Sequence, residues 1–300
     1  MKRHFALVGA ILACLFSNSA PAQHSDLAIA PASVEQQRDD EQRLAQALQA
    51  IEPQRPGIVD AYVVVVALDS DPVFNREARE AGRVLASRFD AVGRTVVLAA
   101  DEGPDKGQAI GSPRHLTRAL ARVAELMDKK EDVIVLYSTS HGTPRAGVNY
   151  RDSSRGRAVI TPADLAGTFA DQHFENRLII IQACFSGQFV PALAGPRTVI
   201  ATASSATRSS FGCSANNDWT FFGHALVNQA MRKPDTFVRQ FRRAFVTIYG
   251  WERKLGMHPS NPEISVGAET AGWLAALDAR AAGAAGNPVG QPPSELGAQQ

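Results

Sequence analysis

The chain alternates between two hydrophobic rhythms. Val59 to Leu68 reads Val-Asp-Ala-Tyr-Val-Val-Val-Val-Ala-Leu, a near-continuous apolar run of the kind buried on both faces of a sheet. Asn75 to Phe89 spaces its apolar residues at the helical period, and Arg94 to Ala100 is again strand-like. Asp105 to Gly111 reads as a Gly- and Pro-flanked loop. Ser112-Pro113 and Thr161-Pro162 each pair a good helix N-cap with a first-turn proline, so helices are predicted from both points, the first to about Asp128. Further strands are predicted at Asp132–Thr139, Arg177–Ala183 and Pro196–Ala203. Helices follow at about Trp219–Met231 and Thr236–Leu255, then a short strand at Ile264–Val266 and a last helix at Thr270–Asp278. Strands alternating with helices at this spacing predict βαβ units, a mostly parallel sheet and helices on both faces.

The two ends differ from this body. Lys2 and Arg3 precede an apolar run, Phe5 to Phe16, too short for a membrane span of about 20 residues. Ala20-Pro21-Ala22 then supplies small residues for cleavage, so residues 1–22 are expected to be a secretory signal and the protein to be exported, to the periplasm or outside the cell. A retained anchor is one alternative, and a lipid anchor at Cys14, within Ile11-Leu12-Ala13-Cys14, is another. Residues 23–55 form a polar segment whose helical stretch, Val34 to Ile51, ends at Pro53 and Pro56. It reads as a surface helix, with a removable propeptide as the alternative. The main domain is expected over residues 56–278, and residues 279–300, rich in Ala, Gly, Pro and Gln, as a disordered tail.

Composition narrows the function. With 31 basic and 30 acidic residues the net charge is +1, which gives no electrostatic case for nucleic acid. Three cysteines are too few for a disulfide scaffold or a Cys-rich metal site, and cleavage after Ala22 leaves only Cys184 and Cys213. Histidines away from the strand ends show no ligand spacing, so no metal is expected. The glycine-rich phosphate-binding patterns are absent, so no cofactor or nucleotide is expected either.

Function in parallel sheets collects beyond the carboxyl ends of the strands. Ser140-His141-Gly142 follows the third predicted strand, and Gln182-Ala183-Cys184-Phe185-Ser186-Gly187 spans the end of the fourth. A His and a Cys at the ends of adjacent strands suit nucleophilic catalysis: the thiolate attacks, and the imidazole lowers the thiol pKa and delivers a proton. The Gly142 and Cys184 N–H groups could hold the oxyanion of a tetrahedral intermediate. Cys213 is open to three readings: a second reactive thiol, a disulfide partner of Cys184, or a buried structural thiol, the last being preferred. Asp69 and Asp71, beyond the first strand, could bind substrate or a cation but read as a solvated loop. Gly-x-Ser-x-Gly is absent, so Ser186 does not suggest a serine hydrolase.

Gln182-Ala183-Cys184 matches the first half of the caspase signature, but Gly187 falls one place late for its second half. Ala-Cys-x-Ser-Gly instead resembles the legumain-like cysteine peptidases, family C13 of the caspase-like clan. Thr202 to Cys213, with Ser209-Ser210-Phe211-Gly212-Cys213 at its end, resembles the segment after that family's fifth strand. Thr220-Phe221-Phe222-Gly223 and Ser260-Asn261-Pro262-Glu263-Ile264 with Gly267 continue the likeness, which spans roughly Asp60 to Leu277.

The resemblance implies an α/β, caspase-like three-layer αβα sandwich that cleaves peptide or protein substrates. It implies Cys184 as nucleophile, His141 as general acid/base, and Gly142 with Cys184 as oxyanion donors. Ser209, Ser210, His224 and Arg76 are the implied substrate contacts. His224 stands where legumains carry an acidic residue, and Asn75-Arg76 is the nearest match to their Arg-His pair, so Asn specificity is not implied. Arg76 suggests an acidic P1 side chain. A transpeptidase of the same fold and a non-catalytic binding protein are the alternatives.

Overall fold

Every residue from Ala61 to Ala67 is buried, and the run divides its side chains between two cores. Val63 and Val65 face one, and Tyr62, Val64 and Val66 the other. That alternation is the signature of a strand with helices on both sides. The structure is a computed structural model that describes residues 32–100, 107–280 and 286–293. The expected signal segment and Cys14 lie outside these residues.

In chain order the described elements are α1 (Val34–Gln49), β1 (Ala61–Ala67), α2 (Pro72–Arg88), β2 (Thr95–Leu98), α3 (Pro113–Leu126) and β3 (Val133–Thr139). Then come β4 (Gly142–Thr143), β5 (Gly147–Asp152), β6 (Gly156–Ile160), α4 (Pro162–Gln172) and β7 (Asn176–Gln182). A 3₁₀ turn (Ser186–Phe189) leads through α5 (Val190–Leu193) to β8 (Thr198–Thr202), then to α6 (Phe221–Gly223) and a π-helical stretch (His224–Ala230). α7 (Phe237–Lys254), β9 (Glu263–Val266) and α8 (Ala271–Ala279) complete the domain.

Six strands form the main sheet in the order β2-β1-β3-β7-β8-β9. The first five run parallel, and β9 joins β8 antiparallel. α2, α7, α8 and the π stretch cover one face; α1, α3 and α4 cover the other. The expected three-layer α/β sandwich with a mostly parallel sheet is therefore what the chain forms. The caps behave as their residue types dictate: the Ser112 and Thr161 hydroxyls accept from His115 N and Asp164 N.

Three features differ from the sequence reading. β4, β5 and β6 build a second, three-stranded antiparallel sheet where no strand was expected. α1 is more than a surface helix: Leu44 and Leu48 enter the core beside α3, and Asp40 and Glu41 pair with Arg155 and Arg118. Within the tail expected to be disordered, residues 286–293 are docked. Trp219 Nε1 and Asn228 Nδ2 donate to Val289 O at 3.0 and 2.7 Å, and Val289 N donates to Asn228 Oδ1 at 3.0 Å.

Candidate active site

β3 and β7 are neighbours, and their last pair, Thr139 with Gln182, is in register. Ser140 N donates to Gln182 O at 3.1 Å, so the two chains leave the sheet side by side. His141 and Cys184 are each the second residue beyond that pair. Gly142 locks the two exits together. A Cβ there would lie 1.9 Å from the Cys184 carbonyl oxygen, so only glycine allows this approach.

The small sheet fixes the His141 backbone. Asn149 N donates to His141 O at 2.9 Å, and Ser140 Oγ donates to Asn149 O at 2.5 Å. Bonded and non-bonded pairs alternate in an antiparallel ladder. The neighbouring Gly142–Val148 pair is therefore non-bonded, and the Gly142 N–H turns away from β5. The Cys184 N–H has no hydrogen-bond partner among the described residues. Beyond it, Phe185 adopts φ +58°, uncommon for a bulky residue. Phe185 N donating to Arg208 O at 2.8 Å and Gln188 Nε2 donating to Phe185 O at 2.9 Å hold this turn. Gly187 then passes so close to the next loop that a Cβ would lie 2.5 Å from Ala206 N.

Cys184 Sγ points toward the loop after β8. It lies 3.3 Å from Ser210 N and 3.4 Å from Ser210 O. The thiol can donate to that carbonyl, and the thiolate can accept from that N–H. The neighbouring Cys213 thiol does most to draw the Cys184 thiol down to about 5; burial opposes, and the Ser210 N–H and the Ser210 and Ser209 hydroxyls assist. The same contact, with burial, pushes the Cys213 thiol well up. Both thiols are free. Cys213 thus neighbours the Cys184 thiol, half-buried against the apolar core.

His141 Nε2 lies 3.0 Å from Asp71 Oδ2, and the Phe74 ring meets the imidazole edge-on at 4.9 Å. Arg151 Nη2 reaches the same Asp71 oxygen at 2.8 Å, and Arg151 Nε reaches Asp69 Oδ2 at 3.1 Å. Asp69 is buried and Asp71 ion-paired, so neither belongs to a merely solvated loop. Asp69, Asp71 and His141 bring donor atoms within 4.8 Å of one another, a spacing a cation could use. The Arg151 guanidinium already bridges both carboxylates and supplies positive charge there. Among the described residues no hydrogen bond joins His141 to Cys184; such contacts often tighten only with substrate bound. A cavity of about 390 Å³ opens beside His141, lined by Asn149, Arg151, Arg157 and Val159 among others.

Of the implied substrate contacts, Ser209 and Ser210 lie at the thiol. Arg76 instead clamps the following loop: Nη2 donates to Ala215 O and Asn217 O at 2.5 and 2.6 Å, and Nε faces Asp218 at 3.7 Å. His224 is buried in the helical layer between Trp219 and Trp251, with Asn228 and Gln229 at its two nitrogens. Burial and then Arg232 hold its imidazole down at about 4, which keeps it neutral.

Sequence reasoning missed Glu77 and Arg151. Glu77 is fully buried beneath the site and accepts from Tyr137 Oη (2.6 Å), Thr139 Oγ1 (2.9 Å), Thr220 N (2.8 Å) and Thr220 Oγ1 (2.7 Å). One signal was available: Glu77 sits three residues after Phe74 and four before Ala81, on the otherwise apolar face of α2.

The peptidase C13 family profile matches residues 111–271, more than half of the chain and the stretch that carries His141, Cys184 and Cys213. A search of curated proteins found no match. Among solved structures, caspase-1 from Spodoptera frugiperda is 14% identical with a TM-score of 0.45, over 72% of this chain and 93% of that one. With the profile covering the strand ends and both loops around the thiol, the chain belongs to the peptidase C13 family and is a cysteine peptidase.

Proposed function

We propose that the protein is an exported endopeptidase in which Cys184 and His141 form the catalytic dyad. The observation that carries this reading is the registered exit of β3 and β7, which brings an imidazole and a low-pKa thiol to adjacent strand ends with Gly142 seated on the Cys184 carbonyl. The thiolate attacks the scissile carbonyl carbon, and the Gly142 and Cys184 N–H groups receive the oxyanion. The C–N bond breaks as His141 delivers a proton to the departing amine, leaving a thioester on Cys184. Water then attacks the thioester carbonyl, with His141 accepting its proton; the C–S bond breaks, the acid product leaves, and the Cys184 thiolate and protonated His141 are restored. The amine departs past His141, so the chain on that side runs toward the cavity walled by Asn149 and Val159.

Ser209 and Ser210 line the acyl side in this account. Arg76 shapes that side by holding the Ala215–Asp218 loop, so its effect on P1 choice is exerted through the loop. Export rests on the Lys2-Arg3, Phe5–Phe16 and Ala20–Ala22 pattern, and N-terminal sequencing of the secreted protein tests it.

The function is tested by incubating the protein with a diverse peptide pool and identifying products by mass. Internal cleavage that disappears in Cys184→Ala supports the reading. Adding a primary amine separates the outcomes of the acyl-enzyme: products gaining water mark a hydrolase, and products gaining the amine mark a transpeptidase. No Cys184-dependent cleavage by the folded protein at any P1 residue would overturn it.

A further inference from the structure

Asp71 occupies the N-cap of α2 but does not cap it: its side chain makes no hydrogen bond to the first turn. Asp is among the best N-cap residues, so a side chain withheld from that role has another use. Here the carboxylate faces His141 Nε2 at 3.0 Å. An ionised carboxylate only accepts hydrogen bonds, so Nε2 must carry the proton, and in the neutral imidazole Nδ1 is left bare. We propose that Asp71 is the positioning residue for His141, fixing the ring with Nε2 protonated and Nδ1 free to exchange the catalytic proton. This rests on the dyad reading above.

Two further contacts make Asp71 a fixed reference, and a third holds the imidazole itself. Its backbone N donates to Asp69 Oδ1 at 3.0 Å. Arg151 bridges Asp69 and Asp71, and is itself tied to the β1 exit by Arg151 N donating to Leu68 O at 2.9 Å. Phe74, one turn along α2, meets the imidazole edge-on and stops it from swinging away. The first turn of α2 therefore grips His141 with a carboxylate and an aromatic ring.

The Arg151 contact also predicts how substitutions differ. His141 Nε2 and Arg151 Nη2 converge on one oxygen, Oδ2. An asparagine at 71 would turn its own oxygen to these two donors, keeping the tautomer but losing the charge. Alanine would lose both.

The test combines a spectrum with kinetics. In Cys184→Ala protein labelled with ¹⁵N-histidine, the His141 resonances should show Nε2 protonated and Nδ1 bare. Asp71→Asn should keep that pattern, and Asp71→Ala should give a tautomer mixture. In the active protein, kcat should fall about 10-fold for Asp71→Asn and about 100-fold for Asp71→Ala, within the range for residues that orient a reacting group, with KM within about twofold. A His141 protonated at Nδ1 in the parent overturns the proposal without any variant, as does an unchanged single tautomer in a folded Asp71→Ala. If the parent shows no Cys184-dependent cleavage, the dyad reading fails, while the spectrum still decides the role of Asp71.

Discussion

The Gly142 Cα rests so closely on the Cys184 carbonyl that a methyl group there would sit 1.9 Å from the oxygen. This contact couples the strand exit that carries His141 to the one that carries Cys184. Gly142→Ala must push the two exits apart or unseat the Cys184 turn, because the obstruction is backbone and cannot rotate away. We expect a loss of about 2–4 kcal/mol of stability and at least a 100-fold fall in Cys184 labelling. Thermal unfolding and labelling kinetics check both, and a variant with parental melting and labelling would contradict the contact.

Cys184 owes its acidity first to Cys213 and then to the Ser210 N–H. A thiol drawn down to about 5 is mostly thiolate above that pH, so alkylation by iodoacetamide should rise through pH 5 and level off below neutrality. Cys213→Ala removes the neighbour that draws the Cys184 thiol down, so the midpoint should move to higher pH. Thiolate absorbance against pH reads the same shift. A midpoint that Cys213→Ala leaves unmoved would assign the acidity to another group.

Glu77 carries a different pH signature. Burial raises its carboxyl above the usual range, and the Tyr137 and Thr220 donors oppose the rise without cancelling it. A raised carboxyl binds its proton more tightly folded than unfolded. Its contribution to stability is therefore full below the ordinary carboxylate range and is lost as pH rises through the folded value. Glu77→Gln cannot ionise, so denaturant unfolding should show the parent losing stability relative to Glu77→Gln as pH rises. Glu77→Ala would orphan several buried donors and should cost about 3 kcal/mol or more at any pH.

The docked stretch around Val289 is expected to stabilise the domain from outside the sheet. Its three hydrogen bonds to Trp219 and Asn228 are each worth about 1 kcal/mol. Ending the chain at Arg280 should lower the melting temperature by roughly 5–10 °C. Unchanged melting would show that this stretch contributes nothing to stability.

The parts that could be read in the sequence are those set by local pattern. The apolar runs of β1, β3 and β7 mark strands buried on both faces, and His141 and Cys184 stand out because each follows such a run directly. β5 and β6 are hidden because they are short: in β5 the alternation of Val148 and Tyr150 with Asn149 and Arg151 lasts only four residues, and in β6 exposed Arg157, Ala158 and Val159 show none. The pairings Asp71–His141 and Arg151–Asp69 join residues far apart along the chain, and charge alone does not name partners at such a distance. Cys213 illustrates the same limit: its local words favour a buried structural thiol, and its nearness to Cys184 appears only once the loop after β8 folds back.

Intact mass after treatment with an electrophilic peptide probe tests whether Cys184 is a nucleophile served by His141. One adduct is expected on the parent in reducing buffer, none on Cys184→Ala, and slowed labelling of His141→Ala. An adduct that persists in Cys184→Ala, or a folded parent that stays unlabelled by probes of every P1 class, would contradict it.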